Sequence, residues 1–405
     1  MISTLLSNQE QCEQKRLSLS ALPRVSFPVV NVMLDLTLAC NLRCRYCFKE
    51  KGNTSMSLRV AQDAVIWLIY ASGSTKKLNV FFMGGEPLLR RQIIEKIIPF
   101  AKIRAKSHGK EIRFSVTTNG TLVSDEFVAF AKESGLHFHL SFDGCPEVQD
   151  HNRPLATGKK SSPLVEEAAK KILKDQPGVM ARGCVSPDNV SNLLNSFRYF
   201  REHGFTTIGL FPCESSRWTQ DTLDTLETQF DLVAEDWTEA FRNLIELQVA
   251  PLEKWFTKKE RGNRGTHPCG AGRGMTLIDV EGGIWPCSRF SSHDAAKYRL
   301  GSIYEEFDDS LRKQFLEGCS EDKFYPECKD CTAKKMCEGG CLVENLEETG
   351  DMFVYSPNDC EILRIYSRVG TKMHDVLYAE KNPLFMKKYY PKEWKETGES
   401  ASSHE

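Results

Sequence analysis

The sequence predicts an α/β fold, a partial (β/α)6 barrel followed by a small cysteine-rich domain. Two observations predict the barrel. Short apolar runs typical of strands alternate with segments of helical period between residues 29 and 250, and six such repeats follow one another. A third observation predicts the second domain, because eight of the 15 cysteines lie between Cys269 and Cys360. At about 150 residues per domain, 405 residues suffice for two or three domains.

The barrel elements can be placed in order along the chain. The apolar runs that resemble buried parallel strands are Val30–Leu38, Leu78–Met83, Ile112–Thr117, His137–Phe142, Val179–Val185 and Thr206–Phe211. The segments between them that carry apolar residues at helical spacing are Leu58–Ala71, Gln92–Ala105, Asp125–Ser134, Leu164–Leu173 and Val190–His203. Right-handed crossovers put the C-terminal ends of all strands on one face, where such folds build their sites.

A longer helix is predicted after the sixth strand. Its apolar stripe consists of Leu226, Phe230, Val233, Trp237, Phe241 and Leu244. We expect Pro251 to stop this helix. The segment from Lys254 to His267 is basic, contains glycine and has no clear periodicity, which predicts a linker between domains.

The cysteine-rich domain is predicted to start with a β-hairpin. Thr276–Val280 and Ile284–Trp285 flank the turn signal Glu281-Gly282-Gly283, and this hairpin would bring Cys269 and Cys287 close together. A helix at Glu361–Leu377 and a disordered polar tail at Glu396–Glu405 are expected to follow. The predicted boundaries are 1–28 for an N-terminal extension, 29–250 for the barrel, 251–268 for the linker, 269–365 for the cysteine-rich domain and 366–405 for the C-terminal helix and tail.

Charge and hydropathy exclude two classes of partner. The chain has 53 Lys and Arg against 55 Asp and Glu, so nothing attracts it in general to nucleic acid or to an anionic membrane. The longest apolar run, Ala64 to Ala71, is too short to cross a bilayer, and Met1 to Gln11 lacks a secretory signal. We therefore expect a cytoplasmic protein. Its cysteines would be reduced there and available for metals or catalysis.

The first cysteine cluster is Cys40-x3-Cys44-x2-Cys47, directly after the first predicted strand. Three thiolates can neither close a tetrahedral zinc site nor saturate a [4Fe–4S] cluster, which takes four ligands. A cluster held this way keeps one iron open. The alternatives are a structural zinc site that borrows a ligand from elsewhere, and thiols that are close by coincidence.

Together with Tyr46, these cysteines resemble the cluster motif of the radical S-adenosylmethionine (SAM) enzymes, and the resemblance makes Tyr46 a candidate for binding SAM. The resemblance implies that the amino and carboxylate groups of SAM chelate the open iron. One electron from the cluster then breaks the sulfonium C–S bond and releases a 5′-deoxyadenosyl radical. The protein's part is to ligate, orient and shield these cofactors.

Later motifs at predicted strand ends fit the same family. Gly84, Gly85 and Glu86 resemble the family's GGE motif, which holds the SAM ammonium group, although a turn before a helix also explains them. The resemblance adds three further SAM-binding candidates, namely Asn119 at the end of the third strand, Ser141 for the ribose and Arg153 for the carboxylate. Each also has an ordinary structural explanation, as a turn residue or, for Arg153, a solvated surface arginine. We interpret His151 as a turn residue.

The second cysteine cluster contains seven cysteines in an order that resembles the SPASM domain, a twin-cluster module of radical SAM enzymes that modify peptides and proteins. The resemblance assigns Cys269, Cys287 and Cys341 to auxiliary cluster I. It assigns Cys328, Cys331, Cys337 and Cys360 to auxiliary cluster II. Three [4Fe–4S] clusters and SAM are therefore the expected cofactors. The alternative is a pair of zinc ribbons, for which Cys328-x2-Cys331 would serve as one half-site.

Auxiliary cluster I departs from some family members, which supply a fourth cysteine shortly after the first. Residues 270–275 contain no thiol, so the cluster either recruits Cys319 or keeps an iron open. The start Cys-Gly-Ala-Gly-Arg-Gly resembles maturases that install thioether bonds in peptides. On this hypothesis an open iron holds a substrate cysteine thiolate.

The resemblance predicts a radical SAM maturase that abstracts hydrogen from a peptide residue and forms a thioether or another side-chain crosslink. The first alternative is an anaerobic sulfatase-maturating enzyme that forms formylglycine. Against it, Ser288 follows Cys287 here. The resemblance to sulfatase-maturating enzymes implies an aspartate at this position, which would act as the base. A non-catalytic metal-binding or redox-sensing protein is the alternative of another class.

Several partners are implied. About 28 residues precede the first predicted strand, so we expect a separate protein to bind the substrate's leader. A reducing protein such as flavodoxin or ferredoxin would supply the electron. No side chain identifies itself as the catalytic acid or base.

Overall fold

The structure is a computed structural model. It describes residues 25, 27–213, 216–261, 269–292, 295–305, 307–317, 328–334, 337 and 339–395. Cys319, most of the predicted N-terminal extension and the predicted tail at Glu396–Glu405 lie outside the described residues. The chain divides into two compact units. Unit 1 comprises Met1–His139, Arg153–Asp175 and Cys269–Ser320, and unit 2 comprises Leu140–Asn152, Gln176–Pro268 and Glu321–Glu405.

The strands and helices are numbered in chain order. The strands are β1 Asn31–Asp35, β2 Lys77–Met83, β3 Glu111–Thr118, β4 Leu136–Ser141, β5 Met180–Val185, β6 Thr207–Pro212, β7 Gln248–Ala250, β8 Met275–Ile278, β9 Gly283–Trp285 and β10 Gly301–Ser302. The helices are α1 Leu58–Ala71, α2 Arg91–Ser107, α3 Asp125–Ser134, α4 Pro146–Asn152, α5 Ser162–Asp175, α6 Leu193–Glu202, α7 Gln220–Arg242, α8 Leu252–Arg261, α9 Ala295–Tyr298, α10 Asp309–Glu317, α11 Leu342–Thr349, α12 Pro357–Ala379 and α13 Pro383–Tyr389.

In unit 1 the strands lie in the order β10-β9-β8-β1-β2-β3. β1 pairs in parallel with β2 on one side and with β8 on the other. The predicted hairpin forms, with Leu277 opposite Trp285, and it extends the parallel sheet at β1. Helix α1 begins where Ser57 accepts a hydrogen bond from the Val60 N–H, and its apolar stripe buries Trp67 completely.

In unit 2 the end of β4 pairs in parallel with β5, and β5, β6 and β7 follow in parallel. Helix α12 packs against α7 and α8. Trp237 of α7 stacks on Phe256 of α8 with ring centroids 5.1 Å apart, and both side chains are buried. These contacts give unit 2 an aromatic core of its own.

The predicted α/β fold is confirmed. The six predicted strands and five predicted barrel helices are present, and the predicted helices at Leu58–Ala71 and Asp125–Ser134 have the bounds of α1 and α3. Ser124 caps the start of α3, and Gly135, with a φ of 67°, ends it. The bounds of α1 and α3 were predictable because apolar residues at helical spacing coincide with clear cap residues.

The predicted end of the long helix was wrong. Helix α7 ends at Arg242 because the chain then turns back on the last helical carbonyls: Leu244 N donates to Phe241 O at 3.1 Å and Ile245 N donates to Ala240 O at 2.9 Å. Leu244 is therefore not part of the helical stripe; its φ is 57° and its side chain is 63% exposed. Pro251 follows the short strand β7, which the sequence analysis missed.

Two smaller predictions also need correction. The segment predicted to be a linker without periodicity contains α8, whose Trp255 and Phe256 are buried. His151 is not a turn residue but lies in α4, where its Nε2 is 2.9 Å from an Asp188 carboxylate oxygen. In the described residues no helix combines the length and the apolar character needed to span a bilayer.

Candidate active site and metal centres

The loop with Cys40, Cys44 and Cys47 follows β1 in unit 1. A second segment, residues 153–156, fixes it through two backbone hydrogen bonds, from Arg43 N to Pro154 O at 2.9 Å and from Ala156 N to Asn41 O at 2.8 Å. In the same region the Arg153 guanidinium lies 5.2 Å from the centre of the Tyr46 ring. Tyr46 and Arg153, two predicted SAM-binding residues, thus lie together beside the cysteines.

Gly84 and Gly85 bring their backbone against the start of this loop. Gly85 N donates to Thr37 O at 2.7 Å, and Glu86 N donates to Ala39 O at 2.9 Å. A Cβ at Gly85 would lie 2.2 Å from Ala39 O, and Gly84 has a φ of 143°. The close approach to Ala39 therefore requires glycine at Gly85, and the positive φ requires glycine at Gly84. The predicted GGE motif lies directly beside the residue that precedes Cys40.

Glu86 is only 1% exposed and ties this segment to the end of β3. Its carboxylate accepts hydrogen bonds from Leu88 N at 3.0 Å, from the Thr118 hydroxyl at 2.7 Å and from Asn119 N at 2.8 Å. Burial raises the pKa of Glu86 to about 7, against the opposing effect of these donors. The Glu86 carboxylate therefore joins the GGE segment to the end of β3, in addition to its predicted role of holding the SAM ammonium group.

Asn119 faces the cysteine loop. Its side-chain amide donates to Asn41 Oδ1 at 2.9 Å and lies 4.0 Å from the Cys40 sulfur, while its oxygen accepts from Thr121 N at 3.0 Å. Ser141 lies at the end of β4 within unit 2, in register with Arg182 of β5. The structure thus brings the other predicted SAM-binding residues together in unit 1 and places Ser141 in unit 2.

Donors point at the sulfurs of the first cluster. Lys51 Nζ is 2.9 Å from the Cys47 sulfur, and Leu42 N donates to the Cys40 sulfur at 3.4 Å. Burial raises the pKa of the Cys40 thiol. Hydrogen bonds to sulfur and nearby cations stabilise bound thiolate, so these surroundings fit an iron–sulfur cluster. Lys51 was not predicted from the sequence, although it follows Cys47 by four residues.

Cys287, at the end of the hairpin, packs against the apolar cluster of Met33, Leu277 and Trp285. Burial raises the pKa of the Cys287 thiol, and the nearby Cys269 thiol raises it further. Gly272 N donates to Pro286 O at 3.1 Å, which joins the loop after Cys269 to the residue before Cys287.

A buried arginine fixes the loop after Cys269. Arg312 is fully buried, its Nε donates to Gly272 O at 2.8 Å and its Nη2 donates to Arg273 O. A Cβ at Gly272 would lie 2.6 Å from the Phe315 ring. Any larger residue at this position of the loop would need the ring to move. The sequence alone offered no signal for Arg312.

In unit 2, four cysteines surround one cavity of about 350 Å³; these are Cys328, Cys331, Cys337 and Cys360. Burial raises the pKa of the Cys360 thiol to about 12, and the nearby thiols of Cys337 and Cys328 add to the shift. Thiols that raise one another's pKa in this way are stabilised as thiolates by a bound metal cluster. The donor set and the space therefore fit auxiliary cluster II.

Cys341 is also in unit 2, at the N-cap of α11. Its backbone N–H donates to Asp359 Oδ2 at 3.0 Å, which ties it to the residue before Cys360. Every cysteine in the described part of the chain is a free thiol. Within that part, no three His, Cys, Asp or Glu side chains are close enough to bind a single metal ion.

Comparison with known proteins identifies a radical SAM domain and homologous enzymes. Residues 34–224 match the family model of the Radical SAM superfamily. The cysteine-type anaerobic sulfatase-maturating enzyme of Clostridium perfringens (strain 13 / Type A) is 27% identical over 344 residues, covering 78% of this chain and 89% of that protein. Mycofactocin maturase MftC of Mycobacterium ulcerans (strain Agy99) is 26% identical, covering 76% of this chain and 81% of that protein.

A solved structure gives the same fold. Native anSMEcpe with bound AdoMet and Cp18Cys peptide superposes with a TM-score of 0.70 at 20% identity. The match covers 87% of this chain and 99% of that one. At this identity the likeness shows a shared fold.

Proposed function

Since the chain contains a radical SAM domain and is homologous to the radical SAM maturases, we propose that it is an enzyme that modifies a peptide or protein substrate. The proposed product is a thioether, or another crosslink, between side chains of that substrate. The observation that carries this proposal is the pair of cysteine sites. Three cysteines lie beside the GGE segment in unit 1, and four surround one cavity in unit 2.

The residues of unit 1 are proposed to hold the first [4Fe–4S] cluster and SAM. When bound, these cofactors supply a carbon radical that abstracts hydrogen. Cys40, Cys44 and Cys47 would ligate the cluster, and Lys51 would keep the Cys47 sulfur anionic. Asn119 holds the loop in place. The SAM-binding roles of Gly84–Glu86, Asn119, Ser141, Arg153 and Tyr46 stay proposals.

Two auxiliary clusters are proposed in addition. Cys328, Cys331, Cys337 and Cys360 would hold cluster II, and the cavity between them supports this assignment. The assignment of Cys269, Cys287 and Cys341 to cluster I stays a prediction from their order in the sequence, with Cys319 as the further candidate ligand. The total of three clusters, the SPASM identity of residues 269–365 and the other predicted boundaries are part of this proposal.

The test has two stages. Anaerobically reconstituted protein with SAM and dithionite should release 5′-deoxyadenosine, and Cys44→Ala should abolish the release. Cys145→Ala, at a cysteine outside both clusters, is the matched control and should retain it. Co-expression with the precursor peptide encoded beside the gene should then lower the peptide's mass by two hydrogen atoms per thioether. An unmodified peptide together with active SAM cleavage would contradict the maturase assignment.

Formylglycine formation, the first alternative, would give an aldehyde on the substrate and no crosslink. The relatives of this chain include a sulfatase-maturating enzyme, whereas Ser288 follows Cys287 here. A sulfatase-type peptide should therefore gain no aldehyde. A non-catalytic metal-binding or redox-sensing protein is not favoured by the radical SAM domain. A leader-binding protein, a flavodoxin or ferredoxin as reductant, and a cytoplasmic location stay predictions.

A further inference from the structure

One face of α12 carries a predicted cluster ligand and a cation. Cys360 and Arg364 are four residues apart in this helix, so their side chains lie on the same face. Both line the cavity that Cys328, Cys331 and Cys337 also line. The pKa of Arg364 is raised, first by the Glu361 carboxylate and then by the nearby thiols of Cys331 and Cys360. A permanent positive charge therefore lies among the predicted ligands of auxiliary cluster II.

A chain of ion pairs fixes this arginine. Arg364 Nη1 is 3.0 Å from Glu361 Oε2, and the other oxygen of Glu361 is 3.0 Å from Arg368 Nη2. Arg368 in turn makes two hydrogen bonds of 2.6 Å to Glu227 of α7. Bidentate pairs of this kind restrict orientation. Glu361 is thus anchored to a second helix and holds the Arg364 guanidinium toward the cavity.

A cation in this position affects the two redox states of a cluster differently. Reduction adds one negative charge to the cluster, so a nearby guanidinium stabilises the reduced state more than the oxidised state. Lys334 also lines the cavity, so a second cation lies near the same four cysteines.

We propose that Arg364 raises the reduction potential of auxiliary cluster II and so favours this cluster as an acceptor of electrons. The proposal rests on the proposed function, since it requires a cluster bound by these four cysteines. Arg364 is a tuning residue in it and ligates no iron.

The test is a potentiometric titration of the reconstituted full-length protein, followed by electron paramagnetic resonance. The signal of auxiliary cluster II is identified as the one that is missing in the double variant Cys328→Ala, Cys331→Ala. In Arg364→Gln this signal should titrate at a more negative potential. Arg364→Lys retains the charge without the planar donor and should give a smaller shift of the same sign. The other two signals should not move.

Arg368→Gln is the matched control. Arg368 lies one turn further along α12 and shares Glu361, but it does not line the cavity, so its replacement should shift the potential less than Arg364→Gln. An unchanged potential in Arg364→Gln with full iron content overturns the proposal. If that variant binds no iron at the site, Arg364→Leu, which also removes the charge, takes its place, and an unchanged potential in it overturns the proposal. Wild-type protein without the assigned signal contradicts the proposed function instead.

Discussion

Replacing Gly85 by alanine tests whether the close approach of the GGE segment builds the first cluster site. The new Cβ would lie 2.2 Å from Ala39 O and 2.7 Å from Ala39 C, so backbone must move. That movement strains or breaks the hydrogen bonds from Gly85 N to Thr37 O and from Glu86 N to Ala39 O. Cys40 follows Ala39 directly and should be displaced with it.

The expected loss can be estimated from its parts. Two backbone hydrogen bonds contribute about 1 kcal/mol each, and forced overpacking costs about 1–3 kcal/mol. The free energy of unfolding should therefore fall by about 3–5 kcal/mol, a large part of the roughly 5–15 kcal/mol typical of native proteins. The displaced cysteine should also lower iron binding at the first site.

The assay compares urea unfolding and iron content of anaerobically reconstituted variants. Gly178→Ala is the matched control, because a Cβ at Gly178 meets no atom within 4 Å and its φ is not positive. It should be within a few tenths of a kcal/mol of wild type or slightly more stable. If Gly85→Ala matches Gly178→Ala in stability and in iron content, the packing argument is wrong.

Three further predictions concern Glu86, Arg312 and Cys319. The pKa of Glu86 is raised to about 7, so the wild type should lose stability as the pH rises through the window from 4.5 to about 7. Glu86→Gln should not lose stability in this window. Between pH 5 and 8 the free energy of unfolding of the variant should therefore gain about 2–3 kcal/mol relative to that of the wild type. Parallel pH profiles of the two proteins would contradict this. Arg312→Met leaves two carbonyls without their donor and should lower the free energy of unfolding by about 3–5 kcal/mol. Lys313→Met, at the exposed neighbour, should have little effect in the same melts. Cys319→Ala should leave iron content and SAM turnover intact if auxiliary cluster I keeps an open iron, whereas loss of one cluster would assign Cys319 as a ligand.

The sequence predicted elements best where local signals agreed. The apolar stripe of α1 and its Ser57 cap fall at the same boundary, and both ends of α3 carry cap residues. The end of α7 was missed because Leu244 continues the apolar spacing while Asn243 closes the helix. Helix α8 was missed because its two buried aromatic residues, Trp255 and Phe256, are adjacent and give no helical period.

The site shows the same division. Cysteine spacing grouped the three thiols of the first loop, because ligands on one loop are close in sequence. The four cysteines of the unit 2 cavity were grouped by the resemblance to the SPASM domain, since Cys360 follows Cys328 by 32 residues. The hydrogen bond from Thr118 to Glu86 joins residues 32 positions apart, and that from Arg312 to Gly272 joins residues 40 apart. Contacts of this length depend on the packing of strands and helices, which spacing along the chain does not specify.

The parallel pairing of β8 with β1 has a consequence for dissecting the protein. A fragment that ended before Cys269 would remove β8 and leave the backbone donors and acceptors on that side of β1 without their partners. Such a bare edge invites pairing with another copy. An isolated barrel fragment should therefore aggregate, even with its own three cysteines intact.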